Sequence, residues 1–209
     1  MKEKELSEKC LKRNADAEQE LFVRYSAMLR GVCIRYAVDR NEAEDMLQEG
    51  FIKIFGTIGS FKWQGEGSFV AWMRRVMVNN AINLYKKNKR LKLSHVESDD
   101  DFEILDEMSN EELHEDTYGY NAVLASGITQ QQLLTILLSI PEMYRVVFNL
   151  SVIDGLRHKE ISQMIGIDES SCRSRLLRAK NMLREALKNY MKQSVVSRQT
   201  DVNEKVSTI

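Results

Sequence analysis

Residues 60–83 read SFKWQGEGSFVAWMRRVMVNNAIN, a glycine-containing loop followed by a long helical pattern. Serine often caps helix N-termini, so the helix is expected to begin at Ser68. One face of this helix carries basic and amide side chains, namely Arg75, Asn79, Lys86 and Arg90. The other face is apolar and is formed by Phe69, Trp72, Met73, Val76, Met77, Leu84 and Tyr85. The stretch therefore predicts a helix with a buried face and a basic face.

Two further helices are predicted before this loop. The first has an apolar stripe at three- and four-residue spacing, formed by Leu21, Tyr25, Met28, Leu29, Val32, Cys33 and Tyr36. The second is expected to begin at a capping box of Asn41 and Glu44 and to run through about Ile58. Together with the helix after the loop, they predict a bundle of three or four helices.

Charged residues are segregated along the chain. From Lys62 to Lys92 there are eight Lys or Arg against a single Glu, whereas residues 93–127 hold eleven Asp or Glu and no Lys or Arg. The acidic stretch shows no sustained helical period and is predicted to be a flexible linker. Residues 170–190 are basic again, with six Lys or Arg against one Glu. The pattern predicts two basic modules joined by an acidic tether.

The second module has the spacing of a helix-turn-helix. A leucine-rich helix ends before Pro141, and the next helix continues to Gly155. A short helix from about His158 to Ile165 ends at Gly166, and a longer basic helix runs from near Asp168 to about residue 190. A short helix, a glycine turn and a longer basic helix are typical of DNA-binding helix-turn-helix units.

The bulk composition favours an all-α protein of two small domains or one medium one. The chain has 209 residues, one Pro, ten Gly and 43% hydrophobic residues. It has no apolar run near the roughly 20 residues that cross a bilayer, and its first residues are charged, so a cytoplasmic protein without direct membrane insertion is expected. The three cysteines, at 10, 33 and 172, lack the spacing of a disulfide framework or a zinc site. No metal and no cofactor are expected.

The segment AEDMLQEGFIKIF, residues 43–55, is the first of three that resemble one family in the same order. The family is the extracytoplasmic-function (group IV) sigma factors of the sigma-70 family. The resemblance implies that this segment binds the coiled coil of the largest subunit of core RNA polymerase, through Asp45, Gln48 and Glu49. These three side chains share a helix face opposite the apolar one, which suits a basic partner helix. The alternative is a solvated helix face without a partner.

The loop and helix of residues 60–83 resemble the part of the family that reads and opens the minus-ten promoter element. The resemblance implies DNA contacts from Phe61, Trp63, Arg75, Asn79, Asn80, Lys86 and Arg90. Unstacked bases must be captured by stacking or by hydrogen bonds to their edges. Phe69 and Trp72 are expected in the core, and for Phe61 and Trp63 packing of the loop remains an alternative to DNA contact.

The second module, residues 137–187, resembles the minus-thirty-five reading domain of the family. The resemblance implies that Arg173, Ser174, Leu177 and Arg178 read bases in the major groove. Arg175 is expected to contact phosphates, which set the register without reading the sequence. The alternative for each is solvation of a surface helix.

The expected domains are sigma region 2 at residues 11–92, an acidic linker at 93–127, sigma region 4 at 128–190 and a disordered tail at 191–209. The expected function is that of a transcription initiation factor, not an enzyme, that directs core RNA polymerase to specific promoter DNA. The resemblance also implies an inhibitory anti-sigma factor as a partner. Two alternatives remain open at this point. One is an autonomous helix-turn-helix regulator, and the other is an adaptor or decoy for an anti-sigma factor.

Overall fold

The computed structural model describes the backbone of residues 1–93 and 128–206 and the side chains of residues 1–89 and 128–192. These residues form helices and connecting turns without any strand, which confirms the all-α prediction. They belong to two compact units, one built mainly on the first range and one on the second. Most of the predicted acidic linker, residues 94–127, lies outside the described residues. No described helix is long and apolar enough to span a bilayer.

The N-terminal unit is a four-helix bundle whose three longer helices, the second to the fourth, pack against one another. Its core is formed by apolar side chains from all four helices, among them Leu6, Leu21, Ile54 and Phe69. A short 3-10 turn, Ile58–Ser60, follows the third helix and leads into the loop. The helices are α1 Glu3–Leu11, α2 Ala15–Tyr36, α3 Arg40–Thr57 and α4 Ser68–Leu93.

Helix α1 was not predicted from the sequence, which placed the start of the first domain at residue 11. The helix is anchored by Leu6 and Cys10, which are four residues apart and fully buried. It ends at Leu11, and Arg13, just after the C-cap residue Lys12, adopts a left-handed conformation with φ of 58°. Leu6 and Cys10 are too few to produce a clear apolar stripe among charged neighbours, so the periodicity signal was weak.

The capping pair at the start of α3 lies two residues before the predicted one. Asp39, not Asn41, is the N-cap residue, and its carboxylate accepts a hydrogen bond from the Glu42 backbone N–H at 2.9 Å. The Glu42 carboxylate in turn accepts a bond from the backbone N–H of Val38 at 2.6 Å. Asp39 with Glu42 has the same three-residue spacing as Asn41 with Glu44, and the sequence alone did not distinguish the two pairs.

The C-terminal unit is built mainly on the packing of its second helix against its last helix. Its helices are α5 Gln130–Leu138, α6 Glu142–Phe148, α7 His158–Ile165 and α8 Glu169–Val206, with a π-helical turn, Asn149–Ile153, after α6. Leu137, Ile140, Tyr144 and Ala179 form a buried cluster that joins α5, α6 and α8. Pro141 is the N-cap of α6, where its missing N–H costs nothing.

The turn between α7 and α8 has the expected helix-turn-helix form. Gly166 has φ of +72°, a left-handed conformation that ends α7 and that glycine adopts without strain. Helix α8 does not stop near residue 190. It continues to Val206, through residues that the sequence analysis assigned to a disordered tail. Residues 191–206 contain no Gly or Pro, and extending a helix is far easier than starting one.

Candidate nucleic-acid and protein interfaces

Helix α3 presents an exposed face that is acidic at one end and apolar at the other. Asp45, Gln48 and Glu49 are all exposed, as the sequence predicted. Ile52 extends this face by one turn, and 70% of its surface is exposed. Sequence reasoning missed Ile52, although its position three and four residues after Glu49 and Gln48 placed it away from the apolar stripe. We call these four residues the α3 face.

The chemistry of the α3 face suits a basic amphipathic helix. Glu49 accepts a bond from Lys53 Nζ at 3.0 Å, an exposed pair that screens part of its charge. Exposed ion pairs contribute little by themselves. Ile52 adds apolar area that loses water on contact, and apolar area is the larger source of binding free energy. The charged residues of the α3 face can therefore orient a partner helix, and Ile52 can add affinity when the partner buries it.

The loop between α3 and α4 carries an aromatic cluster. Phe61 lies at its centre, with its ring centroid 4.9 Å from that of Phe69 and 5.5 Å from that of Trp72. Trp63 meets the edge of Phe61 at 6.5 Å and lies at the rim of the cluster. Phe69 is fully buried, as predicted, whereas Trp72 is half-buried rather than in the core. Phe61 thus packs the loop against α4, whereas the Trp63 ring contacts the cluster through Phe61.

Helix α4 begins at Ser68, as predicted, but its cap differs from the prediction. Ser68 does not cap the helix. Its hydroxyl donates to the Gly65 carbonyl at 2.6 Å and accepts from the Gln64 N–H at 3.3 Å, both within the loop. The carboxylate of Glu3, on α1, accepts from the first-turn backbone N–H groups instead. Glu3 was missed because no local pattern marks a cap that is 65 residues distant from Ser68 in the chain.

Helix α4 has an exposed polar row that matches the prediction only in part. Arg75 and Asn79 are exposed, and Lys86 is half-buried. Arg90 lies on α4, but its side chain is outside the described residues. Asn83 and Lys87, which continue the four-residue spacing from Asn79, are exposed and were not predicted. A nucleic-acid strand following Arg75 and Asn79 would therefore continue along Asn83 and Lys87.

Asn80, expected to contact DNA, lies in the core. Only 1% of its surface is exposed. Its amide nitrogen donates to the Met46 carbonyl at 3.0 Å, and its oxygen accepts a bond from Lys53 Nζ. Its neighbour on α3 is Gly50, where an added Cβ would lie 2.2 Å from the sulfur of Met77. Asn80 therefore fastens α4 to α3 at a close approach and is not available to a base.

Helix α8 places three of its five predicted DNA-contacting residues on one exposed face. Arg173, Ser174 and Leu177 are exposed there, whereas Cys172 and Ala179 are fully buried on the other side of the helix. The remaining two, Arg175 and Arg178, are half-buried at the flanks of this face. The guanidinium of Arg178 lies 3.5 Å from the hydroxyl of Tyr144, too far for a strong hydrogen bond. We call Arg173, Ser174 and Leu177 the α8 face.

The first turn of α8 is held by Asp168. Its carboxylate accepts bonds from the Ser170 hydroxyl, from the Ser171 N–H at 2.7 Å and from the Ser171 hydroxyl at 2.7 Å. These bonds hold the pKa of Asp168 well below its ordinary range, because they stabilise the charged form. The carboxylate thus remains ionised and fixes the direction in which α8 leaves the turn.

Comparison with known families assigns both units. The family model described as sigma-70 region 2 matches residues 21–91, and the one described as sigma-70, region 4 matches residues 130–183. The ECF RNA polymerase sigma-E factor of Escherichia coli (strain K12) is 33% identical over 190 residues, covering 88% of this chain and 91% of its own. The chain belongs to the extracytoplasmic-function sigma factors of the sigma-70 family.

This sigma factor also resembles other relatives over most of its length. The RNA polymerase sigma-H factor of Pseudomonas aeruginosa is 28% identical over 181 residues, covering 83% of this chain and 88% of its own. The solved structure of the sigma factor RpoE in complex with the anti-sigma factor NepR from Bartonella quintana has 20% identity and a TM-score of 0.46. It covers 81% of this chain and 96% of that one. As a family member, the chain is a promoter-directing factor for RNA polymerase. The α3 face lies within the region 2 match and the α8 face within the region 4 match.

Proposed function

We propose that the three surfaces divide the work of initiation. The α3 face binds core RNA polymerase, the loop with the exposed row of α4 opens the minus-ten element, and the α8 face reads the minus-thirty-five element. The observation that carries the first assignment is the exposure of Asp45, Gln48, Glu49 and Ile52 together on one side of α3. A buried apolar face on the opposite side of α3 leaves this side free for a partner.

The minus-ten assignment follows from which groups can reach an extruded base. Trp63 offers a half-buried ring for stacking, and Asn79 an exposed amide for hydrogen bonds to a base edge. Phe61 supports Trp63 from the cluster rather than contacting the base first. Arg75 lies one turn before Asn79 and contributes positive charge to the phosphate path. Unstacking costs a few kcal/mol per step, which stacking and hydrogen bonding together can offset.

The minus-thirty-five assignment follows from the exposed α8 face. An arginine can grip guanine through two hydrogen bonds, and Arg173 has the exposure to enter a major groove. Leu177, with 38% of its surface exposed, can contact a thymine methyl group. Arg178, expected from the resemblance to read a base, is half-buried, as is Arg175, so we assign both to phosphate contacts. The protein holds the DNA, whereas the chemistry of RNA synthesis belongs to the polymerase. Because core polymerase and promoter DNA are in the bacterial cytoplasm, the protein acts there.

An inhibitory anti-sigma factor is part of the proposal. The family resemblance implies one, and such a partner would compete with core polymerase for the same sigma factor. Pull-down of the full chain with candidate proteins, in the presence and absence of core polymerase, tests this point. Mutually exclusive binding supports it, and simultaneous binding of both contradicts a competitive inhibitor.

The test of the main proposal is run-off transcription with purified core polymerase on a library of genomic fragments. Transcript starts that share two upstream elements are expected. Charge reversal at Asp45 should abolish binding to core, whereas charge reversal at Asp16, in the first turn of α2, should not. Specific DNA binding without core would favour an autonomous regulator. Binding to an anti-sigma factor without any transcription would favour a decoy.

A further inference from the structure

The loop of residues 61–67, which carries Phe61 and Trp63, makes its own hydrogen bonds mainly at its last residues, where the Ser68 hydroxyl bonds to Gly65 and Gln64. Gly65 and Gly67 adopt φ of +117° and +82°, conformations that side-chain-bearing residues rarely enter. Glycine gives the loop more freedom when it is not held, and free loops lose more entropy when they capture a ligand. The shape of the loop is therefore sensitive also to contacts from elsewhere in the fold.

Helix α1 contacts the chain at both ends of the loop. At its beginning, the carboxylate of Glu3 accepts bonds from the backbone N–H groups of Gly67 at 2.8 Å, Phe69 at 2.9 Å and Val70 at 3.3 Å. At its end, α1 packs next to the 3-10 turn before the loop, where a Cβ added at Gly59 would lie 3.9 Å from the Leu11 side chain. A nine-residue helix spans about 13 Å, so α1 bridges the two ends as a rigid strut.

The bond from Glu3 takes the place of a local helix cap. The residue before α4 is Gly67, which has no side chain to accept a bond, and the hydroxyl of Ser68 is used inside the loop. The first N–H groups of a helix lack partners within the helix, and a carboxylate there also interacts favourably with the helix dipole. Glu3 supplies both effects, and the buried Leu6 and Cys10 keep α1 in place.

We propose that Glu3 is a positioning residue for promoter opening, holding the loop of residues 61–67 in the shape that receives an unstacked base. This inference rests on the proposed minus-ten role of the loop. Residues 1–20 lie outside the region 2 match, so the contact belongs to a part of the chain that the family assignment leaves without a role. The strut acts before DNA arrives, because it lowers the entropy that the loop would lose on capturing a base.

The test compares Glu3→Ala, Glu3→Gln and the control Glu5→Ala in the full chain. Glu5 is the other acidic residue in the first turn of α1, so the control has the same effect on the α1 dipole, and its carboxylate pairs with Lys9 at 2.8 Å instead of the loop. With core polymerase and a promoter identified by run-off, Glu3→Ala should lower permanganate reactivity of minus-ten thymines about fivefold. This is the fold-change that corresponds to the roughly 1 kcal/mol of a helix cap. Glu3→Gln keeps an acceptor oxygen and should lose less.

A promoter with a premelted minus-ten bubble separates positioning from general damage. Transcription by Glu3→Ala should recover on this template, since the strands are already open and base capture no longer has to offset the cost of unstacking. Equal losses on duplex and premelted templates, or a Glu5→Ala loss as large as that of Glu3→Ala, would overturn the inference. Amide hydrogen exchange provides a readout without polymerase, in which residues 67, 69 and 70 should exchange faster in Glu3→Ala than in Glu5→Ala. If these residues exchange at the same rate in Glu3→Ala and Glu5→Ala, Glu3 does not hold the loop and the inference is refuted. If they exchange faster in Glu3→Ala but the wild-type protein supports no transcription, only the proposed function is refuted.

Discussion

Adjacent asparagines on α4 provide a sharp test of the structure, because Asn79 is exposed and Asn80 is 1% exposed. Substituting Asn80 by Ala removes its bonds to the Met46 carbonyl and to Lys53 Nζ. Each lost bond costs about 1 kcal/mol, so the free energy of unfolding of the N-terminal unit should fall by roughly 2 kcal/mol. For a unit of this size that corresponds to a decrease in Tm of about 10 °C.

The matched variant is Asn79→Ala, which removes the same amide from a solvent-exposed position. Its free energy of unfolding should stay within about 0.5 kcal/mol of wild type, as for other surface substitutions. Its use of a duplex promoter, however, should decline and its discrimination among minus-ten sequences should relax. Urea denaturation and run-off on a set of single-base promoter variants measure the two effects. If the Asn80→Ala protein is as stable as wild type and has an altered base preference, Asn80 contacts DNA and is not a buried structural residue.

Three further changes have distinct expected outcomes. Ile52→Asp should weaken binding to core polymerase at least tenfold in a competition assay, while Val38→Asp, at an exposed valine just before α3, should have little effect. Arg173→Ala should lower affinity by about 1–3 kcal/mol and relax minus-thirty-five specificity in a binding assay, and Lys188→Ala, farther along α8, should leave specificity unchanged. Burial raises the pKa of the Cys33 thiol to about 12. Because the folded state holds this proton more tightly, stability is complete below the ordinary thiol pKa and should fall as pH rises from about 9 toward 12; pH-independent urea midpoints over that window would contradict it.

The sequence predicted well those elements whose signal is local and repeated. The apolar residues of α4 recur over several turns, and the glycine at 166 marks the turn before α8, so the residue pattern was enough to place both elements. The acidic residues of α3 were also expected to be exposed, because the opposite side of that helix is apolar. In each case the decisive information lies within one or two helical turns of the residue concerned.

The failures involve contacts between residues distant in the chain. The helical period does place Asn80 on the apolar face, four residues after Val76 and four before Leu84. What it does not show is that a polar side chain is buried there, which depends on where Gly50 allows α3 to approach α4. The cap of α4 comes from Glu3, on a helix too short and too charged for its own periodicity to be visible. Ile52 was overlooked because only charged and amide side chains were considered for the outer face of α3, whereas a binding surface also needs apolar area.

These distant contacts explain how α4 holds its polar face, with Arg75 and Asn79, in a fixed exposed position. Three polar anchors hold the helix from outside. Glu3 binds the first-turn N–H groups, Lys53 and the Met46 carbonyl hold Asn80, and the Glu42 carboxylate accepts from the amide of Asn88 at 2.7 Å. At 1.5 Å per residue, the sites on α4 are about 16 Å and then about 12 Å apart along its axis. A helix anchored at three levels by groups of fixed geometry can neither rotate nor slide without breaking hydrogen bonds. The exposed positions of Arg75 and Asn79 are therefore a consequence of residues on α1 and α3 that need not touch DNA themselves.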